Sequence, residues 1–208
     1  MKLKLKVCGL REPSNIVDVA ALHPDYMGFI FYPRSARFAG GMPADDILTL
    51  PDSIKTTGVF VNASLTEIKN TLATYRLNAV QLHGDETPDF CMDVKQAGAE
   101  VIKAFGIDET FDFNQLNAYT KAVDYFLFDT RTVQHGGSGI LFDWKLLQKY
   151  TGTVPFFLSG GIGNEQLIQL KQINHPALYA VDVNSKFESA PGIKNIKQLK
   201  FFLNELHA

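Results

Sequence analysis

Two side chains able to move protons stand at the ends of strand-like runs. Cys8 closes LKLKVC (3–8) just before Gly9, and Asp129 closes DYFLFD (124–129). A thiol at the last position of a strand, where the backbone turns, is placed to react. A cysteine that only packs needs no such position, and Cys91, inside the helical pattern DFCMDVKQ, reads as packing. Lys6 precedes Cys8 by two residues on the same strand face, about 7 Å away by strand rise. At an effective dielectric of about 20, a cation there favours the thiolate by about 2 kcal/mol at most, which draws a thiol towards neutral pH. Asp129 follows Tyr125 and Leu127 of like parity, so its carboxyl ends in desolvated surroundings that suit a general acid. A loop anchor or N-cap is the plainer use of such an aspartate.

Other polar residues stand at the same kind of position. FYPRSARF (31–38) sets Arg34 and Arg37 just past a strand, where a guanidinium can grip a carboxylate with two parallel bonds. These residues alone do not choose between the two arginines. His83 ends NAVQLH and can meet a ligand or simply hydrogen-bond a loop. HGGSG (135–139), with Gly136 and Gly137, has a backbone able to close over a bound molecule. In LSGGIGNEQL (158–167), Gly160 and Gly161 let backbone N–H groups approach an anion at a helix start, and DVNSK (182–186) adds Asp182, Asn184 and Ser185. Small-residue loops after the seventh and eighth strands are the usual phosphate site of parallel barrels.

The elements that must hold these residues follow from the hydrophobic pattern. Apolar runs rich in Val, Ile, Phe and Tyr recur at 3–8, 26–31, 56–61, 78–83, 100–105, 124–129, 155–159 and 178–183. Segments with helical spacing lie between and after them, at 13–22, 43–50, 64–75, 87–97, 112–121, 143–150, 164–173 and 194–206. This alternation predicts an α/β protein, one (β/α)8 TIM barrel of parallel strands spanning 1–208 as a single domain, with an open doubly wound sheet as the competing arrangement. Ser64 and Glu67 form a capping-box pattern, Asp143 and Asn164 suit N-caps, and Gly98 suits a helix C-terminus. The outer face of a barrel strand packs on apolar helices, so Leu3, Leu5 and Val7 face outwards while Lys6 and Cys8 face the lumen. A lumenal lysine needs a carboxylate, and the expected partner is Asp182, near the end of the strand that closes against the first, or another inward acid.

Composition narrows the function classes. The 208 residues are 46% hydrophobic and 20% charged, enough for a large core, and a net charge of −2 gives no sign of a nucleic-acid or membrane partner. No apolar run reaches the roughly 18 residues of a membrane helix, and no signal peptide is visible. The two cysteines and five scattered histidines show no metal-ligand spacing. The simplest reading is a reduced, cytoplasmic protein.

KVCG, GFIFYPRSARF, GVFVN, VQLHGDE, IKAFG, LFDT…GGSGILFDW and FFLSGGI occur in register along nearly the whole chain. In that order and spacing they resemble the phosphoribosylanthranilate isomerase family. The resemblance implies a barrel enzyme of tryptophan biosynthesis that carries out a cofactor-free Amadori rearrangement of a small phosphoribosyl substrate, as monomer or homodimer. It implies Cys8 as general base, Asp129 as general acid and Arg37 as the grip on the anthranilate carboxylate. One stretch departs: DVNSKFE stands where the family has DVSSGVE, so Lys186 replaces a glycine, and Lys194-Asn195 stands for a lysine–aspartate pair. Neighbouring readings fit less well. The histidine-pathway Amadori isomerase is expected to use two aspartates and a half-barrel repeat, a metal-dependent epimerase several histidines at strand ends, and a non-catalytic phosphoribosyl sensor has no need of both Cys8 and Asp129.

Overall fold

Alternation along the first strand decides how the sheet curls: Leu5 and Val7 pack outwards against helices, while Lys6 is fully buried in the lumen. The computed structural model describes residues 3–131 and 142–208. Gly136 and Gly137 lie outside the described residues. The strands are β1 (Lys4–Cys8), β2 (Tyr26–Ile30), β3 (Lys55–Phe60), β4 (Ala79–Leu82), β5 (Glu100–Ile107), β6 (Tyr125–Thr130), β7 (Phe156–Leu158) and β8 (Leu178–Val183). They close a parallel barrel in chain order, with β1 paired to β2 on one side and β8 on the other. All eight strands match the apolar runs, and β5 continues to Ile107.

The outer layer is less regular than the sequence suggests. The α-helices are α1 (Pro13–Ala20), α2 (Asp45–Leu48), α3 (Leu65–Tyr75), α4 (Pro88–Gln96), α5 (Leu167–Lys171) and α6 (Ile196–His207). Ser64 and Glu67 cap α3 reciprocally, Thr87 caps α4, and Gly98 follows α4 at φ +93°. Two segments expected as α-helix, Phe113–Tyr119 and Trp144–Lys149, are 3-10 helices instead. Each begins with an aspartate, Asp112 or Asp143, that accepts from the N–H two residues on, a tight Asx turn that favours the narrower winding. Asn164 is not a cap. The cap position is Gly163, whose N–H donates to Gln166, and a short 3-10 turn (Asn164–Gln166) leads into α5. After β8, a 3-10 turn (Ser185–Phe187) leads to a small antiparallel hairpin, β9 (Glu188–Ala190) and β10 (Ile193–Lys194), where the sequence pattern assigned Lys194 to the last helix.

Two cores result. The larger lies between sheet and helices and includes Val7, Phe29, Ile68, Val94 and Phe202. The smaller fills the lower lumen with Tyr26, Ile102, Leu127, Phe157 and small residues such as Ala79 and Ala180. Above this apolar plug the lumen turns polar. Lys6 and Asp182 are register partners across the β1–β8 seam, and Lys6 Nζ lies 2.8 Å from Asp182 Oδ1, the pairing that strand parity predicts. Among the described residues no helix is long and apolar enough to cross a membrane.

Candidate active site

A cavity of about 720 Å³ opens at the C-terminal ends of the strands, above the polar layer, within the usual size of a small-molecule site. Cys8, at the end of β1, reaches its wall and is 4% exposed. Its register partner is Gly28, where a Cβ would come within 2.8 Å of the thiol sulfur, so a larger residue on β2 would displace the thiol. Burial pushes the Cys8 thiol above its ordinary value, outweighing the neighbouring cations Lys6 and Lys194. This corrects the expectation of a thiol drawn down by Lys6. The Lys6 charge does act on the sulfur, but burial outweighs it and the Asp182 carboxylate adds to the upward push, while the same ammonium bonds Asp182 and Gln81 Oε1, each at 2.8 Å.

Asp129 ends the apolar run of β6 and is 7% exposed. Its Oδ1 accepts from the Thr130 N–H at 2.8 Å, and His83 Nε2 lies 3.5 Å from Oδ2. Gly160 has φ +92°, and a Cβ there would run into Thr130 and into Asp129 Oδ1, so this turn admits only glycine beside the carboxylate. His83, expected on the ligand, also meets the protein through Nδ1, 2.9 Å from Gln81 Nε2.

Both arginines of the β2 loop line the mouth, but they differ in support. Arg34 is exposed. Arg37 has a side chain only 16% exposed and is forked onto Glu188, with Nε 2.8 Å from Oε1 and Nη2 2.7 Å from Oε2. The Glu188 hydrogen bond holds the Arg37 guanidinium above its ordinary value. Burial pushes Glu188 up, yet Arg37 and Lys194 outweigh it and hold the carboxyl below the usual range. Lys194 Nζ bonds Glu188 Oε1 and Asn184 Oδ1, both at 2.6 Å, and Asn15 of α1 bonds the Lys194 backbone through both its amide ends. One acid thus serves two cations, and burial pushes the Lys194 ammonium below its ordinary value despite Glu188.

The third part of the mouth is the pair of loops after β7 and β8. Gly160, Gly161, Asn184 and Ser185 line the cavity together, as does Asp182, whose charge Lys6 offsets. Ser159 Oγ donates to Asp182 Oδ2 at 3.3 Å. Lys186 lines the same corner and lies 3.8 Å from Glu165 on the rim. The structure therefore brings the described strand-end residues into one mouth. Gln81, Glu188 and Lys194 are added to the set. Gln81 had a signal, a polar residue of lumenal parity two before His83, and Glu188 sits in the departing DVNSKFE stretch.

The family model of N-(5'-phosphoribosyl)anthranilate (PRA) isomerase matches residues 5–205. An N-(5'-phosphoribosyl)anthranilate isomerase of Parabacteroides distasonis is 45% identical over 97% of this chain and 92% of its own. The solved phosphoribosyl anthranilate isomerase of Thermus thermophilus is 26% identical and superposes with a TM-score of 0.87 over 98% of both chains. A solved phosphoribosyl anthranilate isomerase in complex with reduced 1-(o-carboxyphenylamino)-1-deoxyribulose 5-phosphate is 29% identical, with a TM-score of 0.80 over 98% of both chains.

Proposed function

From the premise that the chain belongs to the N-(5'-phosphoribosyl)anthranilate isomerase family, we propose that Cys8 is the base and Asp129 the acid of its reaction. The enzyme isomerises N-(5-phosphoribosyl)anthranilate to 1-(2-carboxyphenylamino)-1-deoxyribulose 5-phosphate, a step of tryptophan biosynthesis. The observation that carries the residue roles is the order of the barrel. β1 lies between β2 and β8, so Cys8 sits between the Arg37 loop and the loops of Gly160, Gly161, Asn184 and Ser185. A substrate with a carboxylate at one end and a phosphate at the other then passes its ribose carbons over the thiol.

In this reading Asp129 gives its proton to the ribose ring oxygen as the C1′–O bond breaks, leaving an aryl iminium. The cationic imine acidifies the C2′ proton, and the Cys8 thiolate removes it, the electron pair flowing to nitrogen. The enolamine then loses a proton from O2′ and gains one at C1′ to give the ketone, so atoms and charge balance. Decay of fluorescence when freshly made phosphoribosylanthranilate meets the purified protein tests the activity, and binding without turnover would identify a sensor instead.

Arg37 keeps its Nη1 for the anthranilate carboxylate while Glu188 fixes the other edge of the guanidinium. Arg37→Ala is expected to weaken product binding by about 2–3 kcal/mol, the scale of a charged hydrogen-bond pair. Calorimetry with an analogue lacking the carboxylate should show no loss. Equal losses for both ligands would move the assignment to Arg34 or to folding.

Backbone N–H groups of the β7 and β8 loops, joined by Lys186, are suited to the phosphate dianion. Among the described residues Lys186 pairs with Glu165, and at 3.8 Å between half-exposed side chains that contact holds the ammonium weakly. Lys186→Gly should raise KM several-fold at low salt, about 1 kcal/mol, with the loss shrinking as salt screens the pair. An unchanged KM at low salt would leave the backbone as the sole phosphate anchor.

A further inference from the structure

A chain of contacts crosses the lumen from the base to the acid. Asp182 and Gln81 both bond Lys6, Gln81 bonds His83, and His83 faces Asp129. The hydrogen atoms in it follow from chemistry alone. A lysine ammonium only donates, so the end of Gln81 that lies 2.8 Å from Lys6 Nζ is its carbonyl oxygen. The amide NH2 of Gln81 is then the end that faces His83 Nδ1 at 2.9 Å, and it donates. Nδ1 must accept, which leaves the ring proton on Nε2, the atom 3.5 Å from Asp129 Oδ2.

We propose that Lys6 and Gln81 are positioning residues that hold His83 in the Nε2–H tautomer, so that His83 donates a hydrogen bond to Asp129 as its carboxylate forms. This rests on the reading of Asp129 as the general acid. When Asp129 releases its proton to the ring oxygen, Oδ1 keeps the Thr130 N–H and Oδ2 acquires the His83 N–H. A bond to a charged oxygen is shorter and stronger than one to a neutral carboxyl, so this contact tightens in the transition state and not in the ground state. No proton leaves His83. The lysine at the heart of the barrel thus acts on the acid through two intervening side chains, while the ion pair with Asp182 keeps its charge in place against the cost of burial. With both ring nitrogens engaged by the protein, His83 is a positioning residue in this scheme and not a substrate ligand.

The test has two parts. Nitrogen-15 NMR of the histidine rings, at a pH where they are neutral and with the signal identified by its absence in a His83→Gln protein, should show His83 bare at Nδ1 and protonated at Nε2. Gln81→Leu should abolish that preference and give a mixture of tautomers. A wild-type ring protonated at Nδ1 overturns the proposal. In steady-state kinetics His83→Ala should lose roughly ten- to hundredfold in kcat with KM within about twofold. His83→Gln, whose amide NH2 can occupy the Nε2–H position, should recover most of the loss. A loss confined to KM would make His83 a ligand of the substrate, and a Gln variant no better than Ala would remove the donor role; either result sinks the idea. If Asp129→Asn turned over normally, the acid assignment would fail on its own, while the ring spectra would still report whether Lys6 and Gln81 set the tautomer.

Discussion

Cys8→Ala is expected to lower kcat by roughly 10²–10⁴-fold, the contribution of a positioned base, and to leave the fold intact. The thiol lies at the cavity wall beside Gly28, which has no side chain to pack on it, so its removal opens little space in the packed layers. Single-turnover measurement is the decisive form of the experiment, because slow product release in the wild type would mask a loss in chemistry. A variant that keeps more than about a tenth of the wild-type chemical rate has a different base. The raised thiol adds a second observable. Burial makes the thiolate the minor form at neutral pH, so kcat/KM, which reports groups of the free enzyme, should climb as pH rises from neutral into the alkaline range. A profile already flat through neutral pH would contradict a buried thiol held high and restore the simpler picture of a thiol lowered by Lys6.

Asp129→Asn should lose most of kcat, again by roughly 10²–10⁴-fold, while binding product normally. Asparagine keeps the shape and keeps an oxygen to accept from the Thr130 N–H, which donates to Asp129 Oδ1 at 2.8 Å in the wild type. It has no proton to give to the ring oxygen. Calorimetric titration with product separates the two uses of this residue: an aspartate that merely anchors the β6 loop would, once replaced, take binding down with turnover. The glycine at 160 makes a larger replacement uninformative, since its backbone sits against the same carboxylate.

What the sequence discloses here depends on how local the cause is. Period-two alternation in LKLKVC, with closure of the last strand on the first, is enough to bring Lys6 to Asp182, because both rules act through strand geometry. Strand ends likewise mark Cys8, Asp129 and His83. The charge state of Cys8 is not local. It depends first on how completely the folded barrel buries the thiol, and then on the Asp182 carboxylate, which arrives from the far end of the chain. Lys194 escapes for another reason. It stands one residue before the N-cap of an amphipathic helix and shares that helix's spacing, while the two-residue strand that holds it is too short to carry a period of its own. The 3-10 segments after Asp112 and Asp143 were visible as helical spacing but not as a tighter winding, which turns on a single side-chain hydrogen bond in each.

The counter-ion of Arg37 has a consequence for the enzyme while it is still being made. Cys8, Arg37, His83 and Asp129 and all eight barrel strands leave the ribosome before Glu188 does. A chain ending at Phe187 has every side chain proposed for the chemistry, yet Arg37 lacks the Glu188 carboxylate and Phe187 lacks the Phe202 ring of α6 that it packs against 5.0 Å away. Released chains truncated there should be inactive in the fluorescence assay, while chains that keep the hairpin and α6 should be active. Loss of the hairpin and α6, by truncation or by a peptidase, is thereby expected to silence the barrel without touching Cys8 or Asp129.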